Sequence, residues 1–279
     1  MGGVIAILRP IIWLGAAVYG AVDHFGQFCT FVGQTLSALL RTPWWQWRFR
    51  RLLGWQFFEV GTRSVPVVMI TGCFVGMVLA VQAYEQFAAA GMVDRLGAIV
   101  NVSVVRELGP VLAGMILAGR IGGAMTAELG TMRVTEQIDA VRAMGSSPIR
   151  FLVCPRFLAC LVLIPFLTIY TDAMGVLGGW FISGGIYGVE ESAYWSFSAS
   201  FVSKWDIVTG LIKSVFFGGA ISMIGCYKGF HCRAGAAGVG RATTQAFVAS
   251  FIAILVLDFF LAVLLQAIGL RIWGFQSMF

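Results

Sequence analysis

Charge is scarce in this chain. Only 11% of its 279 residues are Asp, Glu, Lys or Arg, against about a quarter in an ordinary soluble domain, which excludes a soluble fold. Histidine is scarcer still: only His24 and His231 are present, with no His/Asp constellation on a common face. A membrane-embedded enzyme acting on lipids, one alternative for such a chain, therefore lacks the usual acid–base inventory. The six cysteines (Cys29, Cys73, Cys154, Cys160, Cys226, Cys232) are scattered through apolar surroundings, a pattern of buried small side chains rather than disulfides. Cys226, His231 and Cys232 lack the paired spacing of a zinc site. No Gly-Lys-Ser/Thr follows any glycine cluster, so there is no phosphate loop and no ATP site in the chain itself. No Pro/Ser-rich or charged linker divides it, which makes 1–279 one domain, with 1–60 an N-terminal helix and elbow and 61–279 a helical bundle. The N-terminus does not read as a cleavable signal: Arg9-Pro10 precedes Ile11–Val22, and the apolar character continues as Phe25–Leu40 without a small-residue cleavage site.

What is abundant is hydrophobicity: 59% of residues and a mean hydropathy of +0.87. The pattern predicts an all-α integral membrane protein. Residues 1–40 are broken by Arg9, Pro10, Asp23, His24, Gln27 and Gln34. Neither charge-free piece reaches the roughly 20 residues a span needs, so an interfacial helix lying along one leaflet is expected, with a re-entrant hairpin as the alternative. Arg41-Thr-Pro-Trp-Trp-Gln-Trp-Arg-Phe-Arg-Arg51 reads as an interfacial belt beside a span rather than a nucleic-acid site. Five transmembrane spans follow: Ser64–Phe87, Leu96–Ala124, Phe151–Gly178, Ile207–Tyr227 and Ala242–Leu270. Positive charge concentrates in 41–63, in 125–150 (Arg133, Arg142, Arg150) and in 228–241 (Lys228, Arg233, Arg241). Those segments are predicted to be cytoplasmic, which puts the N-terminus inside and the C-terminus outside.

Four of the five spans carry charge, and a charge in hydrocarbon is costly enough to need a partner or a purpose. The second span has Arg106 and Glu107, the third Asp172, the fourth Lys213 and the fifth Asp258. Arg106, Glu107 and Lys213 fall in the outer half and Asp258 near mid-span, so opposite charges at similar depth can neutralise one another. Two readings stay open: a static lock between helices, or a polar patch in an outward-facing cavity that meets a charged headgroup. Asp172 reads as lying near the outer interface. On the first span Leu79, Gln82 and Gln86 share a face at i, i+3 and i+7, with Met77, Val78 and Phe87 as apolar neighbours. That face suits either helix packing or an amphiphile.

The second span is dense in small residues four apart, Gly109/Ala113, Gly114/Ala118 and Gly119/Gly123, with Pro110 as a kink point. It is expected to be central to the bundle. After it, Thr131–Met144 places Val134, Ile138 and Val141 on one helical stripe, ended by Gly145 and Pro148. At about 14 residues it is too short to span; it reads as a surface helix for a cytoplasmic partner.

The residues Arg106-Glu-Leu-Gly-Pro-Val-Leu-Ala, Ala118-Gly-Arg-Ile-Gly-Gly-Ala-Met-Thr-Ala-Glu-Leu-Gly-Thr-Met-Arg-Val-Thr-Glu-Gln-Ile-Asp-Ala, Met144-Gly and Pro155-Arg-Phe-Leu-Ala closely resemble the MlaE (YrbE) family. Members are permeases of Mce-type phospholipid ABC transporters. The likeness is dense over roughly Val105–Pro165 and looser elsewhere. It implies a homodimer in the bacterial inner membrane with five spans per subunit and an N-terminal interfacial helix. Its implied partners are a cytoplasmic ABC ATPase that holds the ATP and Mg, a periplasmic hexameric Mce-domain protein, and a STAS-domain protein bound through the ATPase. Phospholipid is the implied substrate, with a sterol-like amphiphile the alternative cargo. By the same resemblance a coupling helix falls on Glu128, Arg133, Glu136, Gln137, Asp139, Arg142 and Met144. The cavity charges fall on Arg106 and Glu107 and first-span lipid contacts on Leu79 and Gln86, with Lys213 and Asp258 carried over from looser regions; the helix-face reading adds Gln82 and Phe87 to the expected lipid cavity.

Overall fold

The structure, a computed structural model, describes residues 2–41 and 47–273, and among these there is no strand. Helix α1 (Gly2–Arg41) is one uninterrupted rod of 40 residues, about 60 Å long at 1.5 Å per residue. Its continuity rules out the re-entrant hairpin. The C-terminal half is anchored to the bundle: Phe28 and Phe31 meet Tyr227 edge-on at 5.3 and 5.6 Å, and Thr35 is fully buried.

The centre of the Trp/Arg belt, residues 42–46, lies outside the described residues. From Trp47 the chain is already helical. Helix α2 (Trp47–Phe57) passes through a π-helical turn at Phe58–Thr62 into α3 (Val65–Ala89). The first span is thus part of a continuous element, Arg50–Ala89, rather than starting at Ser64. Pro66 lacks an N–H and sits in the first turn of α3, where that loss is tolerated. The chain takes up the irregularity in a widened turn instead of a break.

The second span is a 42-residue element, Val93–Val134, built from α4 (Leu96–Ser103), α5 (Gly109–Leu117) and α6 (Gly123–Val134). Two π-helical turns join them, Val104–Leu108 and Ala118–Gly122. Short α7 (Gln137–Ala143) follows, then α8 (Cys154–Gly185), α9 (Glu191–Phe201), α10 (Lys204–Phe230) and α11 (Ala236–Trp273). The fold is all-helical with five helices long and apolar enough to cross a membrane. All five expected spans are present, each longer than its hydrophobic run.

Between helices in lipid, close backbone approach does the work that hydrophobic burial does in water. The tightest seam is α3 on α8: a Cβ added at Gly76 would lie 1.8 Å from the carbonyl oxygen of Gly175. Among the small residues of the second span, Gly114 lies against Phe217 and Ile254 and Gly122 against Ile221, while Gly123 faces open space. That span touches α8, α10 and α11 and is central, as its composition predicts.

Three large apolar clusters run along the bundle, beside a small one at Cys154 and Leu158. Leu117, Ile164, Phe217, Ile221 and Ile254 fill the middle. Phe31, Leu129, Ile138, Leu152 and Phe230 close the end with the basic loops. Ala80, Leu96, Val100, Ile182 and Val189 close the other. There α9, a helix the sequence pattern did not disclose, docks on α4 through Tyr194, whose hydroxyl donates to Asn101 Oδ1 at 3.0 Å. Burial pushes that phenol up to about 12, so it remains a donor at any physiological pH.

Candidate functional site: an interhelical charge cluster and a cytoplasmic loop helix

Pro110 has no N–H to give to the preceding turn. The second span answers with the π-helical turn Val104–Leu108, in which the Gly109 N–H reaches back to the Val104 carbonyl. Such a turn widens the helix and re-aims its side chains, and it is common at functional sites. Here it carries Arg106 and Glu107. Gly210 of α10 permits the close approach: a Cβ there would lie 2.6 Å from the Val105 oxygen and 3.1 Å from Pro110 Cγ. Three residues on, almost a turn further along α10, Lys213 meets Glu107 in an ion pair.

Lys213 also pairs with Asp258 of α11, Nζ to Oδ1 at 3.0 Å. Three helices therefore converge on one ammonium. Its side chain has no exposed surface, whereas Glu107 keeps 43% exposed and Asp258 21%. A buried cation between two carboxylates is the arrangement that tolerates low dielectric. The open side of Glu107 is where a polar ligand could reach the cluster. Arg106 takes a separate partner, Asp206, at 3.8 Å. Asp206 also closes a capping box with Ser203 at the start of α10, so one carboxylate fixes a helix terminus and faces the guanidinium.

Asp172 packs against the second span. One of its carboxylate oxygens is buried without a hydrogen-bond partner, against Gly109 of the second span. On the first span Leu79 and Phe87 are half-buried against the apolar cluster at the end opposite the basic loops, and Gln82 and Gln86 are exposed beside them. None of the eight residues of the expected cavity lines either of two partly open pockets, of about 460 and 440 Å³.

At the basic end, α6 continues the second span through Val134, so the loop helix begins at Gln137 and not at Thr131. The break falls at Glu136, with φ of 59°, the one left-handed non-glycine among the described residues. Glu128 and Arg133 thus ride on the span. Glu128 pairs with buried Arg156 of α8 at 2.8 Å. Asp139 gathers Arg133 at 2.6 Å and Arg142 at 3.5 Å, tying α7 to α6. The apolar stripe of the loop helix is taken by the bundle itself, since Ile138 is fully buried among Leu129, Leu152 and Phe230. What α7 offers to a partner is its other side: Glu136, Gln137, Arg142 and Met144, the last 74% exposed.

Comparison with known proteins then decides the family. The model of the Permease MlaE family matches residues 53–264. The chain belongs to the MlaE permease family. A probable ABC transporter permease protein of Rickettsia prowazekii is 41% identical over 84% of this chain and 89% of its own. The intermembrane phospholipid transport system permease protein MlaE of Haemophilus influenzae is 36% identical over 78% of this chain and 84% of its own. The chloroplastic protein trigalactosyldiacylglycerol 1 of Arabidopsis thaliana is 37% identical over 74% of this chain and 59% of its own. With its five membrane-length helices, the chain is a multi-pass membrane protein of a transporter-permease family.

Against that family frame, two groups at the site went unread in the sequence. Asp206 is one; its signal is the Ser203-x-x-Asp206 capping pattern, which fixes it on α10 rather than in a loop. Arg120 is the other. It sits inside the family-like Gly119-Arg-Ile-Gly-Gly123 run, where the glycines draw notice and the arginine does not.

Proposed function

We propose that this MlaE-family chain is the membrane-spanning permease subunit of an ABC transporter that moves phospholipid between membranes, driven by a separate cytoplasmic ATPase. The observation that carries the reading is the interhelical cluster Glu107–Lys213–Asp258, buried at its cation and open at Glu107. The Haemophilus relative, named a phospholipid transport permease, supports the cargo. In this reading two copies in the inner membrane enclose a cavity. Acyl chains run along the first span at Leu79, Gln82, Gln86 and Phe87. Headgroups meet Arg106, Glu107, Lys213 and Asp258. The ATPase engages α7, and a periplasmic hexameric Mce-domain protein receives or delivers lipid at the opposite end. A STAS-domain protein joins through the ATPase, and ATP and Mg belong to that partner.

The coupling has a physical route. Only Thr135 and Glu136 separate α7 from α6, and the Arg133–Asp139 ion pair clamps the two. A push on α7 is therefore delivered to the second span. That span carries Glu107 within one π-helical turn and has a second, Ala118–Gly122, between it and α7, where helix register can shift at low cost.

The test is photocrosslinking in cells from Leu79 and Gln86, with labelled phospholipid as readout and the lipid-facing Phe259 and Phe260 of α11 as controls. Labelling at the first span well above the controls supports the reading. Equal labelling, or capture of a sterol-like amphiphile in place of phospholipid, defeats it.

A further inference from the structure

Five cations lie well inside the membrane-length elements, away from their ends: Arg63, Arg106, Arg120, Arg156 and Lys213. Four of them face carboxylates: Arg63 has Glu59, Arg106 has Asp206, Arg156 has Glu128, and Lys213 has Glu107 and Asp258. Arg120 has none within ion-pair distance among the described residues. Its guanidinium instead donates to the hydroxyl of Ser64, which is fully buried and donates in turn to the Val60 carbonyl at 2.6 Å. A half-buried cation aimed by one neutral hydroxyl still has unused donors and an uncompensated charge.

Arg120 also lines a cavity of about 460 Å³ between the α2–α3 junction and the second span. Both walls are π-helical there, Phe58–Thr62 on one side and Ala118–Gly122 on the other. The inner wall is apolar, with Val60, Ile121 and Met125, and Trp55 stands exposed at the rim. The rim carboxylates are already committed, Glu59 to Arg63 and Glu128 to Arg156, each at 2.8 Å. The charge left over is the positive one of Arg120.

We propose that this cavity is a second phospholipid headgroup site, at the cytoplasmic end, in which Arg120 receives the phosphodiester. An apolar-walled cavity beside an unpaired guanidinium, with an indole at the rim, suits an amphiphile whose anionic group is attached to hydrocarbon. Arg120 lies fourteen residues beyond Arg106 on one helix, about 21 Å at the α-helical rise, a large part of a hydrocarbon core about 30 Å thick. The second span then carries one headgroup station per leaflet, each set in its own π-helical turn. The site rests on the phospholipid reading above and gives it a cytoplasmic-leaflet point of entry or exit.

The test places a photoreactive amino acid at Trp55 in the full transporter complex in its native membrane. Expected is an adduct with the mass of phospholipid. Its yield falls about tenfold in Arg120→Gln, as for loss of a charge-assisted hydrogen bond, and stays close to wild type in Arg120→Lys. Ala124→Trp fills the cavity while leaving the Arg120–Ser64 contact in place, and lowers the yield as strongly; it stands in should Arg120→Gln fail to fold. A second arm adds inorganic phosphate at millimolar concentration. Suppression of the adduct by phosphate would mark a free-anion site and overturn the proposal. So would an adduct with a second copy of the chain, or a lipid adduct indifferent to both substitutions. A parallel adduct from Gln86 separates the two claims. Phospholipid at Gln86 but not at Trp55 removes only the second site, whereas phospholipid at neither removes the transport reading with it.

Discussion

Lys213 Nζ lies 3.0 Å from Asp258 Oδ1, on a side chain with no exposed surface. Removing that cation leaves Glu107 and Asp258 as uncompensated carboxylates, and breaking a buried ion pair costs about 3–5 kcal/mol. Lys213→Met is expected to lower the melting temperature of the detergent-solubilised protein clearly. The fully neutral variant, with Glu107→Gln and Asp258→Asn added, should regain most of the loss but not transport. A Lys213→Met protein as stable as wild type would show that the three helices do not depend on this lock.

The seam of α3 on α8 predicts an asymmetry among glycines. At Gly76 an added Cβ would collide with the Gly175 backbone, which cannot rotate away, while at Gly123 nothing lies within 4 Å. Gly76→Ala should destabilise by about 1–3 kcal/mol, the cost of overpacking. Gly123→Ala should be neutral or gain up to about 1 kcal/mol of helix propensity. Thermal unfolding of the two variants side by side checks this, and equal effects would mean that the first and third spans pack less tightly than their backbones indicate.

Much of this architecture is legible in the sequence because the bilayer imposes it. Hydrophobic runs fix five spans, loop charge proposes an orientation, and Glu107, Lys213 and Asp258 need each other at similar depth. What escapes is what depends on helix phase. Gly72 and Gly76 look no different from the glycines of the second span until Thr171 and Gly175 are seen against them. Nothing local marks the break at Glu136, since a left-handed residue there is ordinarily glycine or asparagine. The apolar stripe of Thr131–Met144 is real, but Ile138 spends it on the chain's own core. Helix α9 hides because its serines and aromatics, Ser196-Phe-Ser-Ala-Ser-Phe201, give no clear helical period. Asp206 and Arg120 matter through partners on other helices, which spacing along the chain does not carry.

The left-handed turn at Glu136 separates conformation from chemistry in the loop helix. Left-handed geometry costs a non-glycine residue about 1–2 kcal/mol, so Glu136→Gly should keep the turn and the bound ATPase. Glu136→Val should weaken both. Asp139→Lys sets a third cation beside Arg133 and Arg142, which Asp139 now holds at 2.6 and 3.5 Å. It should free α7 and abolish ATPase co-purification. Full retention of the ATPase by Asp139→Lys would remove α7 from the coupling interface.

Orientation in the membrane is read from Cys232, in the turn between α10 and α11 beside Lys228 and Arg233. Its thiol lies 3.1 Å from the Arg233 carbonyl oxygen, and burial raises its pKa. Because the thiolate is the nucleophile, a raised pKa means slow maleimide labelling near neutrality and a rate that climbs as pH rises from about 7 to about 9. With exposed Cys29 and half-buried Cys73 changed to serine, Cys154, Cys160 and Cys226 remain, and all three are buried. A membrane-impermeant maleimide should then label inside-out vesicles, with that pH dependence, and spare intact spheroplasts. Labelling of spheroplasts first would turn the basic loops outward, and would move Arg120 to the periplasmic end and the Glu107 cluster to the cytoplasmic one.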